Sequence, residues 1–281
     1  MRQWLFLRPI VLLYGGKQVR ITPLFWFLLL WASSCVAQVQ TATKDPRAVA
    51  LAEGVLVSGG GVLQPGTGIS IQGTIQFGED SASYPLRIYA LGTGTTRTEV
   101  DGQNGLNLRV LSGGKAASQT SSGHVRNYNM INTISERIPY IPALSLLADY
   151  KLPAIQLDYL GSSQLNGIHV EQIAVYLIDP TQTLQKDELT KHTRTEYSID
   201  PNTMQVVQMK FKVCAENNSE AIRTFRIVYS NYISMGRRQI PTTLSEFDKD
   251  TVLYKISLTA YSEHPDLSGI SFVLPGNRDA K

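Results

Sequence analysis

Near residue 60 the spacing of apolar positions changes from helical to strand-like. Before it, residues 46–58 carry apolar side chains at helical spacing, namely Ala48, Leu51, Ala52 and Val55. Asp45 is a favourable N-cap residue, Pro46 suits the first helical position, and the glycines at 59–61 can end a helix. The sequence therefore predicts one short amphipathic helix from Asp45 to Ser58.

Beyond this helix, apolar and polar residues alternate with a period of two, which is typical of antiparallel strands with one buried face. The alternating segments are 69–77, 84–90, 106–110, 155–159, 169–178, 205–213, 224–232 and 252–258. Turn residues such as Asp101-Gly102 separate successive segments, which favours two meanders. We predict an α+β fold that is mainly β. About ten strands form a strongly curved antiparallel sheet, with two or three helices on its concave side.

Two stretches do not alternate. Residues 113–132 are rich in Gly, Ser and Asn and show no period, so we interpret them as a mobile loop or a crossing over the rim of the sheet. Residues 141–150 return to helical spacing and tolerate Pro142 near their start. A second helix is expected there.

The strand alternation also predicts which side chains face the concave side of the sheet. They are Ile71, Ile75, Leu86, Ile88, Leu108, Val207, Met209, Phe211, Ile227 and Ile256. If that side is hollow, these residues line an apolar ligand cavity; if it is filled, they are ordinary core residues. Tyr229, Tyr232 and Tyr254 allow the same two interpretations, because tyrosine suits a half-buried strand surface.

The N-terminal residues 1–37 have the layout of a secretory signal peptide. Lys17 and Arg20 precede an uncharged apolar run at 24–31, and small residues follow it. Cleavage is expected after Ala37, which leaves 38–44 as a short linker, 45–275 as a single domain and 276–281 as a tail.

Two alternatives to cleavage remain for this leader. One is a permanent helical anchor, although its apolar run is shorter than the roughly 20 residues that cross a bilayer. The other is lipidation of Cys35. Cleavage would leave the domain periplasmic or secreted. An uncleaved anchor or a lipidated Cys35 would instead attach it to a membrane, and all three possibilities place the domain outside the cytoplasm.

Charge and composition limit the classes of partner that the domain is expected to bind. The chain has 281 residues, 43% of them hydrophobic, and a net charge of +3. The leader contains four basic residues and no acidic one, so the rest of the chain has a net charge of −1. The basic character therefore belongs to the leader and does not indicate a nucleic-acid-binding face.

The residue patterns of common catalytic and metal sites are missing from the sequence. The four histidines are scattered, and after cleavage Cys214 is the one cysteine left, so we expect no catalytic group, no metal and no cofactor. The glycines at 59–61 and 66–68 lie between a helix and a strand, the reverse of a phosphate loop. An enzyme would become credible if Asp158, His169 and a serine met in a cleft.

Several features follow one another in a set order along the domain. They are the helix Asp45–Ser58, the strand run Ile69–Phe77, the string Tyr140–Leu147, the strand Thr224–Tyr232 with the turn after it at Met235-Gly236 and Ile240-Pro241, and the closing segment Leu267–Pro275. This order resembles the outer-membrane lipoprotein carrier superfamily with the LolA/LolB-like fold. The resemblance covers roughly residues 45–275.

The resemblance implies an incomplete β-barrel whose helices cover an apolar cavity that holds acyl chains, without covalent chemistry. The physical reason for such a sheath is that an acyl chain in water is penalised by about 0.8 kcal/mol for each exposed CH₂. The implied partner is a lipid or lipoprotein acyl chain, and an envelope membrane protein is a further candidate. The rival hypothesis is a structural or protein-interaction β module of the cell envelope with a packed core.

Overall fold

The computed structural model describes residues 43–64, 66–79, 82–92, 94–135, 140–178, 186–215 and 218–276. The leader, its cleavage site at Ala37, the anchor and lipidation alternatives, most of the linker and the last five residues lie outside the described residues. Among the helices that are described, none is long and apolar enough to cross a membrane.

Within the described residues, thirteen antiparallel strands form one open sheet. The first six are β1 Gly68–Phe77, β2 Ser83–Leu91, β3 Thr96–Gly102, β4 Gly105–Ser112, β5 Lys115–Gln119 and β6 Val125–Asn127. The other seven are β7 Ile155–Leu165, β8 Ile168–Leu177, β9 Thr195–Asp200, β10 Gln205–Ala215, β11 Asn218–Met235, β12 Arg238–Asp248 and β13 Thr251–Glu263. The strand order across the sheet is β6-β5-β4-β3-β2-β1-β13-β12-β11-β10-β9-β8-β7.

This order shows two meanders joined in the middle of the sheet. Strands β1–β6 and strands β7–β13 each run through neighbouring strands, and β1 pairs with β13 to unite them. The chain between β6 and β7 must therefore pass from one edge of the sheet to the other. The predicted class, mainly β with a curved antiparallel sheet, is confirmed.

Three α-helices occur in the described part of the chain. They are α1 Pro46–Ser58, α2 Met130–Ser135 and α3 Lys186–Thr193. Helix α1 begins as predicted, because the Asp45 carboxylate accepts hydrogen bonds from the backbone N–H groups of Arg47 and Ala48. Helix α3 has no counterpart in our prediction, since its sequence KDELTKHT is polar and shows no apolar period.

The interpretation of 113–132 as a loop is wrong for most of its length, since β5, β6 and the start of α2 lie there. Strand β5 has the sequence KAASQ, in which small residues replace the branched side chains that mark a strand. Gly113 and Gly114 both have positive φ angles, as a two-residue hairpin turn requires. That glycine pair was the available signal for a hairpin.

Residues 141–150 form two short 3₁₀ helices, Pro142–Leu144 and Leu146–Asp149, where we expected one helix. Ser145 separates them in an extended conformation, and its hydroxyl accepts a hydrogen bond from the N–H of Leu147. The same hydroxyl lies 2.8 Å from the hydroxyl of Tyr197 on β9. The serine of the string Tyr140–Leu147 therefore fixes this segment to the concave face of the sheet.

The core lies between the concave face and the covering layer of α1 and the 3₁₀ helices. Its members from α1 include Leu51 and Val55, and those from the 3₁₀ segment include Leu144 and Leu147. Buried apolar side chains of β1, β2 and β7–β13 complete the cluster. Burial of this apolar surface is the main stabilising contribution of the fold.

Both ends of α1 are held by charged groups. At its start, Arg47 forms two hydrogen bonds of 2.9 and 3.0 Å with the buried carboxylate of Glu171 on β8. At its end, the Arg238 guanidinium donates to the backbone carbonyls of Gly59 at 2.9 Å and Gly61 at 2.7 Å. Arg238 thus satisfies carbonyls that the end of a helix leaves without partners.

The Glu171 carboxylate also accepts hydrogen bonds from Tyr159 and Ser162. The hydrogen bond from Tyr159 holds the pKa of Glu171 below its usual range. The hydrogen bond from Ser162 and the positive charge of Arg47 act in the same direction, whereas burial acts in the opposite direction. The Arg47 guanidinium additionally lies 4.3 Å from the centre of the Tyr159 ring.

The convex face has a small apolar area of its own, which the C-terminal segment crosses. Leu267 lies beside Gly68 in β1, and the Ser271 carbonyl accepts a hydrogen bond from Arg97 in β3. Pro275, near the end of the described chain, is buried. Residues 264–276 therefore pack along the outside of the first meander.

Asn132 of α2 acts as a strand partner for the end of β10. Its side-chain carbonyl accepts a hydrogen bond from the N–H of Cys214 at 3.1 Å, and its amide donates to the Cys214 carbonyl at 2.9 Å. Both residues are buried. This contact joins α2 to the second meander.

We expect Asn132→Ala to lower the free energy of unfolding by about 2–4 kcal/mol, because it leaves a buried N–H and a buried C=O without partners. Urea unfolding followed by circular dichroism measures the change. Asn127→Ala, which removes an exposed amide from β6, is the control and should leave the midpoint nearly unchanged. Equal effects of the two substitutions would contradict this role of Asn132.

Glu171 predicts a pH dependence of stability. Because its folded-state pKa is lowered, its stabilising contribution is complete above its unfolded pKa of about 4.3 and is lost as the pH falls through the folded value. Glu171→Gln should therefore be less stable than the unmodified chain at neutral pH, with the difference shrinking below about pH 4.5. Urea unfolding midpoints across this pH range, with exposed Glu79→Gln as control, test it. A difference that does not change with pH would contradict the lowered pKa.

Candidate ligand-binding site

Eight of the ten residues proposed from strand alternation lie together on the concave face. They are Ile71, Ile75, Leu86, Ile88, Met209, Phe211, Ile227 and Ile256. None of the eight exposes more than 8% of its surface, and all belong to the cluster that also contains the α1 and 3₁₀ side chains. In this structure they pack against the covering layer.

Leu108 lies elsewhere. It pairs with Glu99 in β3, and Glu99 pairs with Arg87 in β2, so these three side chains share the convex face. Ile88, one residue along β2, faces the opposite side. In β4 the alternating apolar residues thus point outward, to the side that the C-terminal segment crosses, and Leu108 is half-buried there.

Val207 also departs from the expected position. The register of β10 with β9 shifts between Val206 and Gln208, which marks a β-bulge. The extra residue reverses the alternation, so Val206 is 1% exposed in the core while Val207 is only half-buried. A bulge of this kind has no signature in the apolar pattern.

An open groove of about 550 Å³ lies between the C-terminal half of α1 and the chain that follows the 3₁₀ helices. Its apolar lining residues are Leu56, Val57, Val62, Ala148 and Leu152. Leu56 and Ala148 are core residues, whereas Val57 is 77% and Leu152 is 51% exposed. The groove thus leads from exposed apolar residues at its rim to the core at its floor.

Sequence reasoning missed this groove. Val57 was the available signal, because it is apolar yet lies off the stripe formed by Ala48, Leu51, Ala52 and Val55. Leu152 gave no such signal in the sequence. It lies in a short connection before β7, and its position depends on how the chain crosses between β6 and β7.

One hydrogen bond joins the two walls of the groove. The Tyr150 hydroxyl donates to the Glu53 carboxylate of α1 at 2.6 Å. Burial and the adjacent Glu53 carboxylate raise the pKa of the Tyr150 hydroxyl, so it stays protonated as a donor at neutral pH. Lys151 lies 5.4 Å from the centre of the Tyr150 ring, at the same edge. The rim therefore combines apolar side chains with one cation and two carboxylates, those of Glu53 and Asp149.

Aromatic side chains dominate another part of the concave face. The rings of Tyr140 and Tyr254 meet edge to face with centroids 6.4 Å apart, and those of Phe211 and Phe225 are 5.8 Å apart. The Tyr254 hydroxyl donates to Glu246, and burial raises its pKa well above its usual value. Tyr229, Tyr232 and Tyr254 all belong to the core or border it.

The residues considered for catalysis do not converge. Asp158 accepts hydrogen bonds from Gln156 and Tyr176, whereas His169 lies 3.4 Å from Glu171. Ser162 donates to that same Glu171 carboxylate rather than to the histidine. A hydroxyl bonded to a carboxylate in this way is not the serine–histidine pair of nucleophilic catalysis.

Comparison with known proteins is informative for structure alone. No protein-family model matches the sequence. A search of curated proteins by sequence likewise finds no match.

Solved structures, in contrast, match over most of the chain. An outer membrane lipoprotein-sorting protein domain from Vibrio parahaemolyticus, as its description has it, is 12% identical, covers 80% of this chain and 96% of its own, and has a TM-score of 0.51. A DUF1329 family protein from Desulfovibrio piger is 11% identical. It covers 80% of this chain and 97% of its own, and its TM-score is also 0.51.

A LolA superfamily protein from Nitrosomonas europaea is 9% identical, covers 75% of this chain and 92% of its own, and has a TM-score of 0.48. The two higher-scoring matches agree with the open antiparallel sheet and the helices described above. The chain has a LolA-like fold.

Proposed function

We propose that this protein is a non-catalytic carrier or chaperone for a lipid or lipoprotein acyl chain. The observation that carries the proposal is the groove between α1 and residues 146–152, whose exposed apolar rim continues into the core. An acyl chain laid in this groove would exchange contact with water for contact with Leu56, Val57 and Leu152.

The fold gives independent support. The Vibrio parahaemolyticus domain that shares it is described as a lipoprotein-sorting protein domain. An open, curved sheet with a thin helical cover suits this task, because the cover can separate from the sheet without breaking the strand ladder.

We further propose that the 3₁₀ segment moves when a ligand enters, while α1 stays in place. Helix α1 is held at both ends by Arg47 and Arg238, which bind Glu171 and two backbone carbonyls. The 3₁₀ helices are short, and such helices have poorer hydrogen-bond geometry than α-helices. The ligand would then reach the eight concave-face residues predicted from the sequence.

The second candidate is a protein-interaction module with a packed core. It is favoured by the low exposure of those eight concave-face residues, which contact the covering layer in this structure. The two candidates differ in whether the groove admits a hydrocarbon chain.

The leader supports a place in the cell envelope. We propose that the chain is exported and cleaved after Ala37, so that the domain works in the periplasm or outside the cell. An anchor formed by the uncleaved leader, or lipidation of Cys35, would instead hold it at a membrane.

The carrier proposal predicts saturable binding of a fluorescent fatty acid that depends on the rim of the groove. In the double variant Val57→Gln/Leu152→Gln we expect the affinity to fall at least about tenfold, since each substitution removes apolar contact with the chain. Both positions are exposed, so stability should change by less than about 0.5 kcal/mol each.

Ile233→Gln/Ile168→Gln is the matched control, because these isoleucines are 44% and 45% exposed and lie outside the groove lining. It should bind like the unmodified chain. Absence of saturable binding to the unmodified chain would reject the carrier and favour the interaction module, and an equal loss in both double variants would reject this groove as the site.

The proposed opening predicts a rate effect at Tyr150. Tyr150→Phe removes the hydrogen bond to Glu53 that joins the groove walls, and hydrogen bonds to charged groups contribute about 1.5–3 kcal/mol. Stopped-flow uptake of the fluorescent fatty acid should therefore become roughly tenfold faster. Tyr176→Phe is the control, because it removes an equivalent tyrosine–carboxylate bond, to Asp158, away from the groove. If both variants take up the probe at the same rate, opening does not require breaking the Tyr150 contact.

A further inference from the structure

The two edges of the sheet differ in length and in chemistry. Strand β6 forms one edge with three residues and carries an exposed arginine, Arg126. Strand β7 forms the other edge with eleven residues, and the stretch 159–168 contains no charged residue. Natural sheets protect their open edges by keeping them short or by placing charges on them. The β7 edge lacks both of these protections.

The first part of β7 already has a strand partner on its outer side. The Leu157 carbonyl accepts a hydrogen bond from the N–H of Asp45 at 2.9 Å, and the Leu157 N–H donates to the Thr43 carbonyl at 3.4 Å. Residues 43–45 thus run parallel to the edge until α1 begins. The backbone geometry of β7 is therefore suited to accepting an additional strand.

Further along β7 the outward-facing backbone groups belong to Ser162 and Gln164. The two-residue turn at 166–167, whose φ angles are 50° and 81°, closes the hairpin with β8, so the backbones of Leu165 and Ile168 face each other. Because hydrogen-bonded and outward positions alternate along an antiparallel strand, Ser162 and Gln164 point away from β8. No described residue provides a backbone partner for either of them.

Apolar side chains and an open position flank these outward groups. Leu160 is 40% and Ile168 is 45% exposed, and Leu165 lies directly opposite Ile168 on the same face of the sheet. The strand register shifts between Tyr159 and Gly161, which marks a β-bulge. A Cβ atom placed on Gly161 would meet no other atom within 4 Å. The edge thus has room for a side chain of a neighbouring strand.

We propose that a second copy of this chain pairs with this edge, β7 against β7, in antiparallel orientation about a two-fold axis at Ser163. In this register Ser162 lies opposite the partner's Gln164, so the outward N–H and C=O groups of both copies bond to one another. Leu165 lies opposite the partner's Gly161, where there is room for it. The two-fold pairing uses one self-complementary surface on both copies.

A second copy suits this edge because pairing the edge with itself brings no charges together. Like charges directly opposite each other in a sheet are destabilising, and residues 159–168 carry none. The chain without its leader has a net charge of −1, so long-range repulsion between two copies is weak. The pairing occupies the same edge of both copies and therefore closes as a dimer. Since stable interfaces bury at least roughly 1,200 Å², more than one strand edge provides, the dimer is weak and reversible.

The test places charges at the proposed two-fold axis. In Ser163→Lys or Ser163→Glu the pairing sets like charges opposite each other, so each variant alone should dimerise at least about fivefold more weakly than the unmodified chain. An equimolar mixture of the two variants should regain dimerisation, because opposite charges then meet. Sedimentation equilibrium of the full chain at micromolar concentrations measures the mass. Ser257→Lys and Ser257→Glu are the controls, because they place the same charges at an exposed position of β13, and they should dimerise like the unmodified chain.

A further variant tests the backbone pairing itself. Gln164→Pro removes an outward N–H and no hydrogen bond to β8, so it should weaken dimerisation about tenfold while the urea midpoint of unfolding stays close to that of the unmodified chain. Equal dimerisation of the Ser163→Lys and Ser257→Lys variants would overturn the proposal, and so would a mixture of the two Ser163 variants that stays monomeric. An unmodified chain that stays monomeric would also overturn it and would leave the edge to an extended segment of a different protein. Dimerisation does not involve the acyl-chain groove between α1 and residues 146–152, so the two proposals can fail separately.

Discussion

The structure depends on the contact between the concave face of one open sheet and a thin layer of helices. An antiparallel sheet with one apolar face is stable in water only when that face is covered. Because β1 and β13 pair in the middle of the sheet, the two meanders share a single apolar face. Helix α1 and the 3₁₀ helices supply the side chains that cover it.

The two parts of this cover are attached in different ways. Helix α1 is bound through charged groups at both ends, by Arg47 to the buried Glu171 carboxylate and by the Arg238 guanidinium to two backbone carbonyls, and hydrogen bonds of charged groups are stronger than those between neutral groups. The 3₁₀ segment is attached through apolar packing and through tyrosine hydrogen bonds, those of Tyr197 with Ser145 and of Tyr150 with Glu53. This difference in attachment is the reason why the proposed opening involves the 3₁₀ segment and leaves α1 in place.

The sequence predicted the elements with strong periodicity. Helix α1 and eight of the strands were recognisable because each carries a continuous apolar stripe, and eight concave-face residues followed from the same stripes. Strands β3, β5, β6, β9 and β12 and helices α2 and α3 were missed because most of their residues are small or polar, so that pairing and tertiary contact decide their structure.

The failures at single sites have equally local causes. Leu108 alternates correctly but faces outward, because β4 packs its apolar side under the C-terminal segment rather than under α1. Val207 is displaced by one bulge, and the groove depends on where the crossing chain places Leu152. A sequence pattern records which residues share a face, but the face itself is chosen by long-range contacts.

The magnitude of apolar burial decides which ligands could displace the 3₁₀ segment. Leu144, Leu146 and Leu147 are each at least 96% buried, and exposing three such side chains costs about 5–9 kcal/mol. A hydrocarbon chain regains about 0.8 kcal/mol for each CH₂ that leaves water. It would take roughly 6–11 buried methylenes to offset that cost. By this comparison a short-chain acid would not offset the cost of opening the cover, whereas a long acyl chain would. The packed core is then compatible with the proposed carrier function, in which a long acyl chain would take the place that the leucines occupy in this structure.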